Sequence, residues 1–298
     1  MADSEARAIV ARLWPGRTVT IDPLEGGITN SNFILTLDGE RLVLRIAGKD
    51  TEHLGIDRRR EESAARMAAR AGIGPEVVTY VEPEGYLVTR FIEGSPIPPA
   101  RMRAPETIAR AANALRAIHR ADPIPGRFDA HSVVEDYRKT AVEHGVEPPP
   151  DVAWARGLAE RIREVRGPQP LVPCHNDLLN ANFIDDGERI RIVDWEYAGM
   201  GDRFFDLANF SINHEFEPAD DEHLLHAYFG EVRDDQADSL RLMRFMSDFR
   251  EAMWGVVQQG ISDLDVDFVA YAGEHFERLH ATAGDVAFRR ALEGRSAT

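Results

Sequence analysis

The sequence predicts an α+β fold in two lobes: a small β-rich one, then a larger, mainly helical one. Two observations carry this. Roughly the first ninety residues hold five short runs rich in β-branched and aromatic residues, set around a single helical stretch. Beyond Gly94 the apolar residues recur on the helical period. A third observation gives the arrangement a purpose. An Asp, an Asn and a second Asp stand close together, around a short hairpin, within the helical part.

The elements follow in order. Met1 to Ala6 reads as a frayed end. Strands are expected at Thr18 to Ile21, Phe33 to Leu37 and Arg41 to Ala47, with Asp38-Gly39 supplying the turn between the last two. Asp57 to Ala71 reads as a helix, with Ala64, Ala65, Met67, Ala68 and Ala71 on its period and Gly72 as its stop. Val77 to Val81 and Tyr86 to Phe91 complete the strands. Pro96, Pro98 and Pro99 mark the crossing, which gives lobes of 1–92 and 93–298. Helices are then expected near Pro105–Arg120, Ser132–Glu143, Val152–Arg166, Pro218–Phe229, Ala237–Gln259 and Val266–Ala281. Pro218 suits a first helical position and Gly230 a stop. Pro148 to Pro150 read as a loop within the larger lobe, and Gly294 to Thr298 as a second frayed end.

At 298 residues and 43% apolar, the chain is long and apolar enough to bury a core. A formal net charge of −16 argues against a nucleic-acid binder, because phosphate backbones reward basic patches. It suits a cleft that attracts a cation, or simply a soluble surface. Cys174 is the only cysteine, so no intrachain disulfide forms. With no signal-like start and no apolar run near ~18 residues, no membrane span is expected, and the cytoplasm is the expected location. The ten histidines are scattered, so no zinc site is expected. Nothing in the sequence specifies an oligomeric state.

The chemistry lies in Cys174 to Phe183 and Ile192 to Glu196. Asp177 and Asn182 are five residues apart, and Asp194 follows twelve residues later at the end of an apolar run. Phosphoryl transfer from ATP needs such a set. One carboxylate orients the attacking hydroxyl and accepts its proton, while an amide and a second carboxylate hold Mg²⁺. Asp177 is the candidate catalytic base. Asn182 and Asp194 are candidate metal ligands, hard oxygens of the kind magnesium prefers. Phe183-Ile184, Asp185-Asp186-Gly187 and Ile190 to Val193 read as a hairpin that returns Asp194 to Asn182. A lone Asp or Asn in a loop usually serves a turn or a cap. Three around one hairpin are a different matter.

His175-Asn176-Asp177-Leu178-Leu179, then Asp194 to Ala198, then Phe205 to Asn209, resemble the choline/ethanolamine kinase family of the aminoglycoside phosphotransferase-like group. Protein kinases have Arg where this chain has Asn176. The resemblance runs from about Leu24 to about Phe276, dense at the catalytic segment and thin elsewhere. It implies a two-lobed protein-kinase-like fold, and three strands, a helix and two strands is the order of that fold's small lobe. It further implies that Asp206 braces the catalytic loop, that His175 orients it, and that Cys174 is no nucleophile.

On the nucleotide side, Glu25 to Asn32 lies between the first two strands. Its glycines let backbone amides approach phosphates, and Gly27, Thr29 and Asn30 are the candidate contacts. By itself the stretch is an ordinary turn; its position before the hairpin is what favours a phosphate loop. A protein kinase carries a Lys on the third strand, where this chain offers only Arg45. The resemblance implies that Arg45 holds the α/β-phosphates, for which a guanidinium fork suits; the alternative is an edge Arg that snorkels. Glu62 is its expected partner on the following helix, with Glu61 competing, and Glu62 can instead form an i,i+4 pair with Arg66. Adenine is expected against the connector near Phe91 and Ile92.

On the acceptor side, the resemblance implies a quaternary ammonium boxed by aromatic faces and a carboxylate. Tyr197, Trp254 and Tyr271 match aromatics of that box, whereas Glu251 stands where the family has a further Trp. Asn213 stands where the family usually places Glu, and Glu215 follows two residues later. Core packing on helices is the competing reading for Trp254 and Tyr271. The expected activity is transfer of the γ-phosphate of ATP, with Mg²⁺, to the hydroxyl of choline, ethanolamine or a similar small cationic alcohol. An aminoglycoside or thiamine kinase is the alternative within the class, and an inactive nucleotide-binding module the alternative outside it.

Overall fold

Asp38 and Gly39 both adopt positive φ (53° and 84°), the turn that suits the right-handed twist of a hairpin, and strands β2 (Ser31–Leu37) and β3 (Glu40–Ile46) close around them. A computed structural model describes residues 2–24, 30–48 and 51–294. Among these, β1 (Val19–Leu24), β2, β3, β5 (Tyr86–Arg90) and β4 (Val77–Val81) form one antiparallel sheet in that order. Alternation puts Phe33, Leu35, Leu42, Leu44 and Ile46 on one buried face. Helix α1 (Ala2–Leu13) covers it with Ala6, Ile9 and Val10. The expected frayed start is therefore corrected. Ala6, Ile9 and Val10 are spaced as one helical face, and the sheet gives that face somewhere to be buried.

Helix α2 (Arg58–Arg70) starts at Asp57, whose side chain accepts from the backbone of Arg59 and Arg60. The chain crosses lobes at Gly94. A Cβ there would lie 2.5 Å from the Asp185 carbonyl, because β6 (Ser95–Pro96) pairs tightly with β8 (Phe183–Asp185). The larger lobe holds α3 (Pro99–Met102), α4 (Pro105–His119), α5 (Ala130–Glu143) and α6 (Asp151–Arg166), then β7 (Leu171–Cys174), β8, β9 (Ile190–Ile192) and β10 (Gly199–Asp202). Helices α7 (Arg203–Asn213), α8 (Pro218–Phe229), α9 (Asp234–Ile261), α10 (Phe268–Gly284) and α11 (Val286–Glu293) complete it. Long α9 is the axis against which α5, α7 and α10 pack.

Two helices depart from the expected pattern. In α7 every residue from Phe204 to Ile212 is buried, and its polar residues Asp206, Asn209 and Asn213 form one narrow face of an otherwise largely apolar run. Short α11 buries only Phe288 and Ala291. Among the described residues, no helix is long and apolar enough to cross a membrane.

Candidate active site

Strand β7 ends at Cys174 and hands the chain to His175, Asn176 and Asp177. Fully buried Asp206 on α7 accepts from the backbone of His175 (2.8 Å) and Asn176 (2.7 Å), and pairs with His119 Nε2 at 3.0 Å. One turn along α7, Asn209 Oδ1 accepts from Leu178 N (2.6 Å). His175 accepts from Asp177 N at Nδ1 (3.2 Å) and donates from Nε2 to the Val193 carbonyl (2.9 Å). Burial holds its pKa below the ordinary value, so the ring stays neutral and serves both bonds. His175 and Asp206 thus shape the loop, and His175 has no lone pair to spare for a cation.

Asp177 itself is buried, and burial drives its pKa up to about 8; Arg250 pulls it down, and Glu251, Asp194 and Glu196 push it up. From Asp177 the chain runs to Asn182, whose Nδ2 donates to the Asp177 carbonyl (2.8 Å). That bond fixes the amide and leaves Oδ1 as its remaining ligand atom. The β8–β9 hairpin pairs Phe183 with Ile192, and Val193 N donates to Asn182 O (3.1 Å), so Asp194 returns beside Asn182 as the spacing predicts. Asp194 sits at φ 68°, and its buried Oδ1 is paired with Arg45 Nη1 at 2.7 Å. Burial raises its pKa to about 6, against the pull of Arg45. A carboxylate and an amide oxygen, both hard donors returned to one another by the hairpin, fit Mg²⁺ once Arg45 releases Asp194. The buried trio His119, Cys174 and Asp206 does not fit a metal, because Asp206 and His119 are spent on the bonds above and on Tyr228. Burial also pushes the Cys174 thiol well up.

Arg45 lies at the junction of the lobes. Its Nη1 is 2.7 Å from Asp194 Oδ1, and its Nη2 is 2.8 Å from Glu61 and 3.1 Å from Glu196. Burial disfavours its charge, but Asp194, Glu61 and Glu196 more than offset this and raise its pKa. Its partner on α2 is Glu61, which corrects the expectation of Glu62. Glu61 shares the buried face of Ala64, Ala65 and Ala68 and is 3% exposed. Glu62, one helical step round, pairs with Arg66 (3.0 Å) and Arg59 (3.3 Å) on the outer face.

Buried Glu196 was not foreseen. It also accepts from Arg58 (3.2 Å) and from Asn30 Nδ2 (3.1 Å), while Asn30 Oδ1 accepts from Gly48 N (3.3 Å). Its sequence signal was a carboxylate two residues after Asp194. Asn30 therefore faces the catalytic cluster, whereas Gly27 and Thr29 lie outside the described residues. Phe91 and Ile92 are half-buried in the connector, where Phe91 N donates to Arg41 O (3.0 Å) and the Arg41 guanidinium lies 4.1 Å over the Phe91 ring.

On the other side of Asp177 stands Arg250, which the sequence reading missed because it is one more cation on a long amphipathic helix. It is 1% exposed. Nη1 donates to Glu251 Oε1 and lies 3.4 Å from Asp177 Oδ1, and the guanidinium carbon lies 4.4 Å over the Tyr197 ring. Tyr271 donates to Glu251 Oε2 (3.1 Å), and its ring meets Trp254 edge-on at 5.4 Å. Tyr197, Glu251, Trp254 and Tyr271 are therefore brought together. Glu215 is not, because the chain turns outward there (φ 53°), whereas half-buried Asn213 ends α7 on the face that carries Asp206 and Asn209, with its Nδ2 buried and without a hydrogen bond among the described residues. Among the described residues neither bonds to the Asp177–Glu251 group.

The profile described as "Phosphotransferase enzyme family" matches residues 20–242. A choline/ethanolamine kinase family protein from Mesorhizobium loti superposes with a TM-score of 0.85, at 36% identity and with 98% of each chain covered. A probable ethanolamine kinase from Arabidopsis thaliana is 25% identical over 295 residues, covering 85% of this chain and 76% of the relative. Human ethanolamine kinase 2 is 25% identical over 304 residues, covering 89% and 76%. With the loop, the hairpin and the strand-borne Arg all in the places that such enzymes need, the chain belongs to the phosphotransferase enzyme family and, within it, to the choline/ethanolamine kinase family.

Proposed function

We propose that this chain, with lobes of 1–92 and 93–298, transfers the γ-phosphate of ATP to the hydroxyl of a small amino alcohol of the choline or ethanolamine kind. The observation that carries the reading is the union of Asp177, Asn182 and Asp194 on one loop and hairpin, with Arg45 reaching Asp194 from the other lobe. The acceptor hydroxyl sits at Asp177. Its oxygen bonds to the γ-phosphorus, the bond from that phosphorus to the bridging oxygen breaks to leave ADP, and the hydroxyl proton goes to the Asp177 carboxylate. Arg45 exchanges its ion pair with Asp194 for the phosphates, while Glu61 and Glu196 keep its fork aimed. Asn182 and Asp194 would hold Mg²⁺, which would neutralise charge on the phosphates. Asn30 is a further candidate on the phosphate side, and Phe91 and Ile92 on the adenine side. The acceptor pocket comprises Tyr197, Arg250, Glu251, Trp254 and Tyr271, and the ammonium of the acceptor suits its carboxylate and its aromatic rings. We infer a cytoplasmic location for an enzyme that uses ATP.

All three chemistry-bearing side chains are present, which disfavours an inactive nucleotide-binding module. A screen of ADP release with Mg²⁺ and choline, ethanolamine, thiamine or an aminoglycoside tests the reading. Turnover of an amino alcohol supports it. Turnover of only thiamine or the aminoglycoside keeps the reaction and rejects the acceptor class, and no turnover of any of them rejects both.

A further inference from the structure

Arg250 fills the place in the acceptor pocket that a quaternary ammonium would need. Its guanidinium carbon lies 4.4 Å over the Tyr197 ring, inside the ~6 Å at which an aromatic face holds a cation. The same guanidinium comes within 3.4 Å of Asp177 Oδ1, so the ring face it covers is the one beside the base. The Glu251 carboxylate is engaged as well: one oxygen accepts from Arg250 Nη1, the other from the Tyr271 hydroxyl. Trp254 packs edge-on against Tyr271 and Phe268.

This occupancy is not the cheapest way to fill the space. Nε and Nη2 of Arg250 are buried without a hydrogen bond among the described residues. Buried donors on a charged group are rarely left unmade, and an apolar side chain at this position of α9 would avoid their cost.

Two kinds of ammonium respond differently to such a neighbour. A trimethylammonium group has no N–H, so it is recognised by ring faces and by room for its methyl groups. A primary ammonium is smaller and carries three donors, which carboxylate or carbonyl oxygens satisfy without any ring. The charge of Arg250 acts on both alike. The volume and the ring face it takes are lost to the quaternary group alone, and specificity of this kind comes from a clash with the wrong ligand.

We propose that Arg250 is a specificity-determining residue: by covering Tyr197 beside Asp177 it excludes quaternary ammonium acceptors, and the chain phosphorylates amino alcohols whose nitrogen bears hydrogens. This rests on the kinase reading above and narrows its acceptor class. The competing explanation is that Arg250 is only a counter-ion for Glu251 and swings aside for the acceptor, in which case choline is taken as readily as ethanolamine.

Steady-state kinetics of the full chain with ATP, Mg²⁺ and either ethanolamine or choline separate the two. The wild type should show a kcat/KM at least about tenfold lower for choline, the scale of one cation–ring contact. Arg250→Ala should erase that gap through a lower KM for choline. Tetramethylammonium, which has no hydroxyl to phosphorylate, should raise the melting temperature of Arg250→Ala and not that of the wild type. If Arg250→Ala does not fold, Arg250→Gln answers the same questions, because its amide can still donate to Glu251 while the ring is freed. Wild-type turnover of choline equal to or better than that of ethanolamine overturns the inference and leaves the kinase reading standing. So does a folded variant that keeps the full gap. Turnover of thiamine or an aminoglycoside alone overturns both.

Discussion

Asp177 is a carboxylate kept out of water. Burial holds its folded pKa near about 8, where the ordinary value is 3.8. Between those values the folded chain binds a proton that the unfolded chain has lost, so stability falls as pH rises through this window. Asp177→Asn removes that cost. Its melting temperature should exceed that of the wild type at pH 8 and match it near pH 4; equal melting at pH 8 would mean that the carboxylate is solvated. The same variant should keep ATP affinity and lose kcat by at least ~100-fold, the usual scale of a general base. Arg45 acts on the other substrate. Arg45→Ala should raise the KM for ATP and lower kcat, with little change in the acceptor KM, and Arg45→Lys should recover only part. Unaltered ATP kinetics in Arg45→Ala would assign this side chain to holding Asp194, Glu61 and Glu196 together and to nothing more.

At the scale of elements, α7 holds the catalytic loop in shape. Asp206 and Asn209 project from one helix face onto the backbone of His175, Asn176 and Leu178. Asp206→Ala orphans two buried backbone donors. At ~1–3 kcal/mol each, the variant should lose about 2–6 kcal/mol by urea denaturation. A loss well under 1 kcal/mol would show that the loop keeps its shape without this brace. Most helix ends were legible because their signals are local: Asp57 caps α2, Pro218 opens α8, and Gly230 closes it at φ 83°. Helix α7 was not legible, since its polar face of Asp206, Asn209 and Asn213 spans barely two turns of a largely apolar run. The start of α1 was read as frayed because three short apolar side chains form a face only when a sheet lies beneath them.

At the scale of the molecule, a buried charge cluster ties the lobes. Arg45, Arg58, Glu61 and Asn30 come from the small lobe, and Asp194 and Glu196 from the large one. Removing one charge from such a group leaves its partners uncompensated. Glu196→Gln should therefore destabilise by about 3–5 kcal/mol, raise the KM for ATP, and speed backbone hydrogen exchange on both sides of the crossing. Faster exchange confined to the small lobe would show that Glu196 does not join the two.

The sequence by itself determined the α+β order, most strand and helix spans and the Asp177–Asn182–Asp194 set, because hydrophobic period, turn chemistry and a short hairpin act over a few residues. It also carried the reading of His175 and Asp206 as braces of the loop. Tertiary structure alone decided that Glu61 rather than Glu62 meets Arg45. The two carboxylates are adjacent in sequence but a helical step apart in space, so only the docking of α2 says which one is buried. It alone brought Glu196 into the cluster and turned Glu215 outward. It also set Arg250 over Tyr197 with half its guanidinium unsatisfied, for that depends on how α9 packs beside the loop, more than seventy residues away in sequence.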